Sequence, residues 1–126
     1  MARVLTAYLK RNDVPTRTAL QQAIARLPFA LTLDGGYVPL DTSGYLPCTL
    51  DGEDSGFDLR FTDVEEPRAD GCDVAMTLKW SGDPREEAAA LAVCAALART
   101  FGAIVMRDGA QLSSDHMLER AQGALV

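Results

Sequence analysis

The chain has 126 residues, 48% of them apolar and 24% charged, and a formal net charge of −6. These values are ordinary for a soluble globular protein, and the length predicts one domain, 1–126, with a single core. No basic segment leads into an apolar one, and the longest apolar run, Ala88 to Ala98, is well short of the about 20 residues a membrane helix needs. A secretory signal and a spanning helix are therefore not expected.

Residues 3–10 alternate, with Leu5, Ala7 and Leu9 against Val4, Thr6 and Tyr8, and read as a strand. The next segment reads as a helix. Pro15 suits its first turn, Thr18 and Gln21 have the spacing of a capping box, and Ala19, Leu20, Ala23, Ile24 and Leu27 form one stripe. Pro28 should end it. "FALTL" follows as a short strand, closed by a turn at Asp34-Gly35-Gly36.

The stretch "DTSGYLPCTLDGEDSGFDLRF", residues 41–61, reads as two antiparallel strands. Leu46, Cys48 and Leu50 share one side of the first; Phe57, Leu59 and Phe61 share one side of the second. The turn between them is the acidic run Asp51-Gly52-Glu53-Asp54. Pro47 lacks an amide donor and argues for an edge or a bulge.

Residues 64–71 have no period and read as a loop. In 72–80, Val74, Met76, Leu78 and Trp80 alternate with Asp73, Ala75, Thr77 and Lys79, again a strand. A helix follows, with Asp83 as N-cap, Pro84 at its first position, Glu86 in a capping box and Gly102 as its left-handed stop. Leu91, Cys94, Leu97, Ala98 and Phe101 form its stripe, and its alanines let it lie close to a sheet. "AIVM" is a short strand leading to a turn at Asp108-Gly109, and Ser113 or Ser114 caps a last helix. The order β-α-β-β-β-β-α-β-α predicts an α+β two-layer sandwich: a mostly antiparallel sheet with helices packed on one face. The link from strand 72–80 to strand 103–106 is long enough for a right-handed parallel crossover.

Charge is uneven. Residues 1–33 hold five bases and one acid, 34–87 four bases and fourteen acids, and 88–126 three of each. So acidic a middle repels nucleic acid and steers basic partners toward it. Catalytic signals are sparse. His116 is the single histidine, and no zinc pattern or nucleophile elbow surrounds it. The glycines at 52 and 56 are not followed by the Lys-Ser/Thr of a phosphate loop, and the acids at 51–54 lack the EF-hand register. Cys48, Cys72 and Cys94 are odd in number and widely spaced, which predicts buried free thiols in a reducing cytoplasm. No cofactor and no metal are expected.

Two stretches, "GYLPCTLDGEDSGFDLRF" and "SGDPREEAAALAVCAALARTFGAIVMRDG", resemble small cytosolic immunity proteins that accompany interbacterial toxins, such as type VI secretion effectors. The resemblance spans about residues 45–110 and rests on the strand, Gly-Asp, acidic-capped alanine-rich helix, short strand and Asp-Gly turn. It implies a non-catalytic inhibitor that binds a cognate toxin one to one and blocks a basic active-site cleft. The expected contact set is Asp51, Glu53, Asp54 and Asp58 for steering, with Tyr37 and Tyr45 as aromatic anchors. Phe57 and Trp80 are assigned to the core. The rival readings are a carboxylate-dependent enzyme or small-ligand module on the wet sheet face, and an oligomeric adaptor that pairs through a sheet edge.

Overall fold

The computed structural model describes residues 3–65 and 70–125. Its elements are β1 (Val4–Leu9), a 3₁₀ turn (Arg11–Asp13), α1 (Arg17–Ile24), β2 (Leu31–Leu33), β3 (Ser43–Leu50), β4 (Glu53–Asp63), β5 (Val74–Lys79), α2 (Pro84–Phe101), β6 (Ile104–Arg107), β7 (Ala110–Leu112) and α3 (Ser114–Ala124). The protein is α+β, and its seven strands form one sheet in the order β2-β3-β4-β5-β1-β6-β7, with every neighbouring pair antiparallel.

Alternation decides which side chains face the helices. Leu5, Ala7 and Leu9 of β1, Leu46, Cys48 and Leu50 of β3, Phe57 and Leu59 of β4, and Met76 and Leu78 of β5 all enter the core. Their neighbours in sequence turn to the other, open face. Strand β5 and strand β6 run in the same direction, as a crossover requires, but β1 lies between them and pairs with both. The helical link thus spans a split β-α-β unit.

Helix α2 starts and stops as its sequence dictates. The Asp83 carboxylate accepts from the Arg85 amide at 2.9 Å, Pro84 opens the helix, and Gly102 ends it at a φ of 72°. Ten successive residues, Ala88 to Leu97, are buried. A helix covered on all sides lies inside the core. The sheet packs on one side of α2, and α1 and α3 pack against it elsewhere. Asp83→Ala is expected to cost about 1 kcal/mol of stability, read as a lower urea midpoint with an unchanged denaturant slope.

Several local expectations are revised. The cap of α1 is Thr16, which accepts from the Ala19 amide at 3.1 Å; Thr18 does not cap, and Pro15 precedes the helix. Gln21 instead bridges to β2, donating to the Leu31 carbonyl and accepting from the Leu33 amide, both at 2.8 Å. The helix ends at Ile24, before Pro28. Glu86 does not bond back to the cap residue; its carboxylate takes the Ser81 amide and hydroxyl. Strand β7 was not foreseen, because three residues with two exposed carry no alternation signal. Of the expected loop 64–71, residues 66–69 lie outside the described residues.

The turns and edges follow from backbone chemistry. Asp51 and Gly52 have φ of 52° and 82°, and Asp108 and Gly109 have 51° and 81°. These are two-residue hairpin turns of the mirror-image type, for which Asp-Gly is suited. Pro47 sits where β3 has outrun the short β2. Its carbonyl accepts from the Asp34 amide just past β2, while the Asp34 carbonyl opposite its missing N–H accepts instead from the Tyr37 amide and Arg17 Nε, so the proline leaves no acceptor unmet there. All three cysteines are buried, and none of them is in a disulfide. Burial, then the Glu86 carboxylate, push the Cys48 thiol up to about 11, with the Ser55 hydroxyl acting the other way.

Candidate functional site: the open face of β3 and β4

The register of β3 and β4 sorts the residues expected to bind. Tyr45 pairs with Asp58, Pro47 with Gly56, and Thr49 with Asp54. With a two-residue side-chain period, these six stand on the open face of the sheet. Asp54 and Asp58 are therefore about 13 Å apart along one strand, with the Tyr45 ring between them. Glu53 pairs with Leu50 and turns to the helix side. There it lies 3.4 Å from Arg85, whose guanidinium also donates to the Leu50 carbonyl. Asp51 occupies the turn itself and exchanges backbone and side-chain hydrogen bonds with Ala30. The four acids are thus not one cluster: two join the open face, one locks the hairpin to α2, and one shapes the turn.

Tyr45 is 58% exposed, yet it is held in place. Its hydroxyl donates to Glu86 Oε2 at 3.2 Å. The same carboxylate accepts from the Ser81 amide at 3.1 Å and the Ser81 hydroxyl at 2.8 Å. The phenol ring lies against Gly56, where any Cβ would collide with it. Glycine at 56 is what lets the phenol approach the strand this closely. Partial desolvation, then the facing Glu86 carboxylate, raise the Tyr45 pKa. The ring stays neutral at physiological pH and donates to the carboxylate.

Tyr45 and Pro47 form a ridge with a hollow on either side. One hollow, about 350 Å³, is walled by Tyr45, Asp58, Lys79, Trp80, Ser81 and Glu86. The other, about 380 Å³, includes Pro47, Thr49, Asp54, Asp34 and Arg17. Each contains two carboxylates. The Arg17 guanidinium is occupied by the carbonyls of Leu33 and Asp34, and Arg60 pairs with Asp58 at 3.0 Å.

Tyr37 is corrected from anchor to core. It is 3% exposed, its hydroxyl donates to the Pro15 carbonyl at 2.9 Å, and its ring lies 6.2 Å from Phe61. Burial raises its pKa well above the usual phenol range. Its role is to pin the loop that carries exposed Val38 and Leu40. Phe57 and Trp80 are buried, as expected of core residues, and His116 is exposed on α3. Glu86 and Lys79 enter the site without having been singled out for it. Glu86 reads in sequence as a helix cap, and no local pattern joins it to Tyr45, 41 positions away.

Among the described residues, no group of three His, Cys, Asp or Glu side chains could hold a metal ion. Among them, too, no helix is long and apolar enough to cross a membrane. Compared with known proteins, the chain matches no family model, no curated protein and no solved structure.

Proposed function

We infer that this chain is a cytoplasmic binding protein, an immunity-type inhibitor that holds a toxin through the open face of β3 and β4 and blocks a basic active-site cleft. The observation that carries this reading is the pre-positioned Tyr45 ridge between two carboxylate-lined hollows. An aromatic held in its bound rotamer loses little entropy on docking. Carboxylates on both sides accept Lys or Arg side chains of a partner and speed encounter at low salt. The acidic contact set becomes Asp54, Asp58 and Glu86 around Tyr45. Asp51 and Glu53 act on the hairpin's shape.

The test is affinity capture from the cells that make the protein, using wild type, Tyr45→Ala and Asp54→Lys, with the recovered partner's own activity then titrated by the purified chain. The expected result is a single partner at one-to-one ratio, silenced at equivalence. Tyr45→Ala should weaken binding by about 30-fold, the size of an aromatic hot spot. Asp54→Lys should slow association and flatten its salt dependence. If both variants bind and inhibit like wild type, this face is not the contact surface. A partner that stays active when saturated would remove the inhibitor role.

A further inference from the structure

A second polar site lies at the end of the sheet where α2 begins, on the helix-covered side. Arg107 is the last residue of β6 and turns inward by alternation. Its side chain is only 8% exposed. The guanidinium carbon sits 5.2 Å from the centre of the Trp80 ring, and Nη1 lies 3.3 Å from Glu87 Oε2 of α2. Burying a guanidinium is costly unless its donors are used, and here one nitrogen of three is used. Among the described residues, the buried side-chain atoms left without a hydrogen bond include none of Arg107. The remaining nitrogens of Arg107 therefore reach an open surface.

That surface is a cleft of about 310 Å³, walled by Arg3, Trp80, Gly82, Asp83, Glu87 and Arg107 among others. The Arg3 guanidinium lies over Gly82, where a Cβ would stand 3.7 Å from it. It has no hydrogen bond or ion pair among the described residues. Two guanidinium groups thus present unused donors to one cleft, beside the face of a tryptophan. Glu87 holds the edge of Arg107 that does not bind.

We propose that the cleft between Arg3, Trp80 and Arg107 binds a carboxylate, supplied by a small organic acid or by the free C-terminus of a partner peptide. A guanidinium fork matches a carboxylate with two parallel N–H···O bonds. The carboxylates of Glu87 and Asp83 in the same walls oppose a doubly charged phosphate and tolerate a single negative charge. The volume suits a ligand of a few heavy atoms or one terminal residue. Trp80 and Ser81 wall both this cleft and the hollow beside Tyr45, but Arg3 and Arg107 line the cleft and not that hollow; the proposal stands whether or not the ridge binds a toxin.

Trp80 is the only tryptophan in the chain, so its emission reports binding beside it, and the arginine variants below distinguish the cleft from the hollow at Tyr45, which neither arginine lines. The full chain is titrated at constant ionic strength with propionate, a tetrapeptide with a free C-terminus, the same peptide amidated, and inorganic phosphate. The expected result is a saturable change with the peptide acid or with propionate, and none with the amide. Saturation by the peptide acid alone assigns a partner terminus, and equal saturation by propionate assigns a small acid. Arg107→Lys keeps the charge but loses the fork, and should weaken binding about tenfold or more. Arg3→Gln, on an exposed side chain that does not endanger folding, should do the same. The proposal is overturned if no carboxylate gives a saturable change, if the amide or phosphate binds as well, or if either variant binds like wild type.

Discussion

Leu91→Ala is expected to lower the unfolding free energy by about 3 kcal/mol or more. Leu91 is fully buried in the middle of α2, within the run of ten residues that sees no solvent. The cost of such a truncation depends on how far the surroundings can collapse into the space. Here they can do little. Its fully buried neighbours one turn away are Ala88, Cys94 and Ala95, whose side chains are too short to refill the gap. The sheet on one side of α2 and the helices elsewhere around it are held by their own packing. Urea unfolding followed by Trp80 emission gives the value, and Glu119→Ala, at an exposed position of α3, should stay within about 0.5 kcal/mol of wild type. A loss below about 1 kcal/mol at Leu91 would mean that α2 is not the centre of the core.

Gly56→Ala should cost about 1–3 kcal/mol and also dismantle the candidate site. The added Cβ would lie 2.8 Å from the Leu46 carbonyl oxygen and closer still to the Tyr45 phenol. The backbone there has a φ of 156°, where side chains other than glycine rarely sit. The phenol can swing away, but the carbonyl belongs to the β3–β4 ladder and cannot move without loosening it. Relief therefore comes partly from displacing Tyr45, which breaks its bond to Glu86. If the ridge is the binding surface, Gly56→Ala loses affinity at least as much as Tyr45→Ala does, although it leaves the tyrosine in place. A folded Gly56→Ala protein with wild-type affinity would separate the ring's position from binding. Phenol pKa offers a second reading: the Tyr45 pKa should fall toward its ordinary value when the ring leaves Glu86.

Much of this could be read locally. Side-chain alternation placed Leu46, Cys48, Leu50, Phe57 and Leu59 on the core side. The same alternation separates Glu53 from Asp54, since adjacent residues of a strand face opposite ways. Asp83, Pro84 and Gly102 marked both ends of α2, because caps are made within a turn of the residue that makes them. The surface role expected of Tyr37 failed for the opposite reason. Nothing within a few residues of it reveals that the Pro15 carbonyl, 22 positions earlier, would take its hydroxyl.

The α+β class, the turns, the buried faces and every segment but β7 follow from backbone sterics and apolar spacing within a few residues. Which elements and side chains meet was settled by packing. It inserted β1 between β5 and β6, laid Tyr45 over Gly56 beside Glu86, and brought Arg3, Trp80, Glu87 and Arg107 to one cleft. Those meetings join residues tens of positions apart. They are set by which strand edges pair and by how closely an alanine-rich helix can approach the sheet. No short window of the chain contains that information, because the free energy that selects it comes from burying α2 on all sides at once.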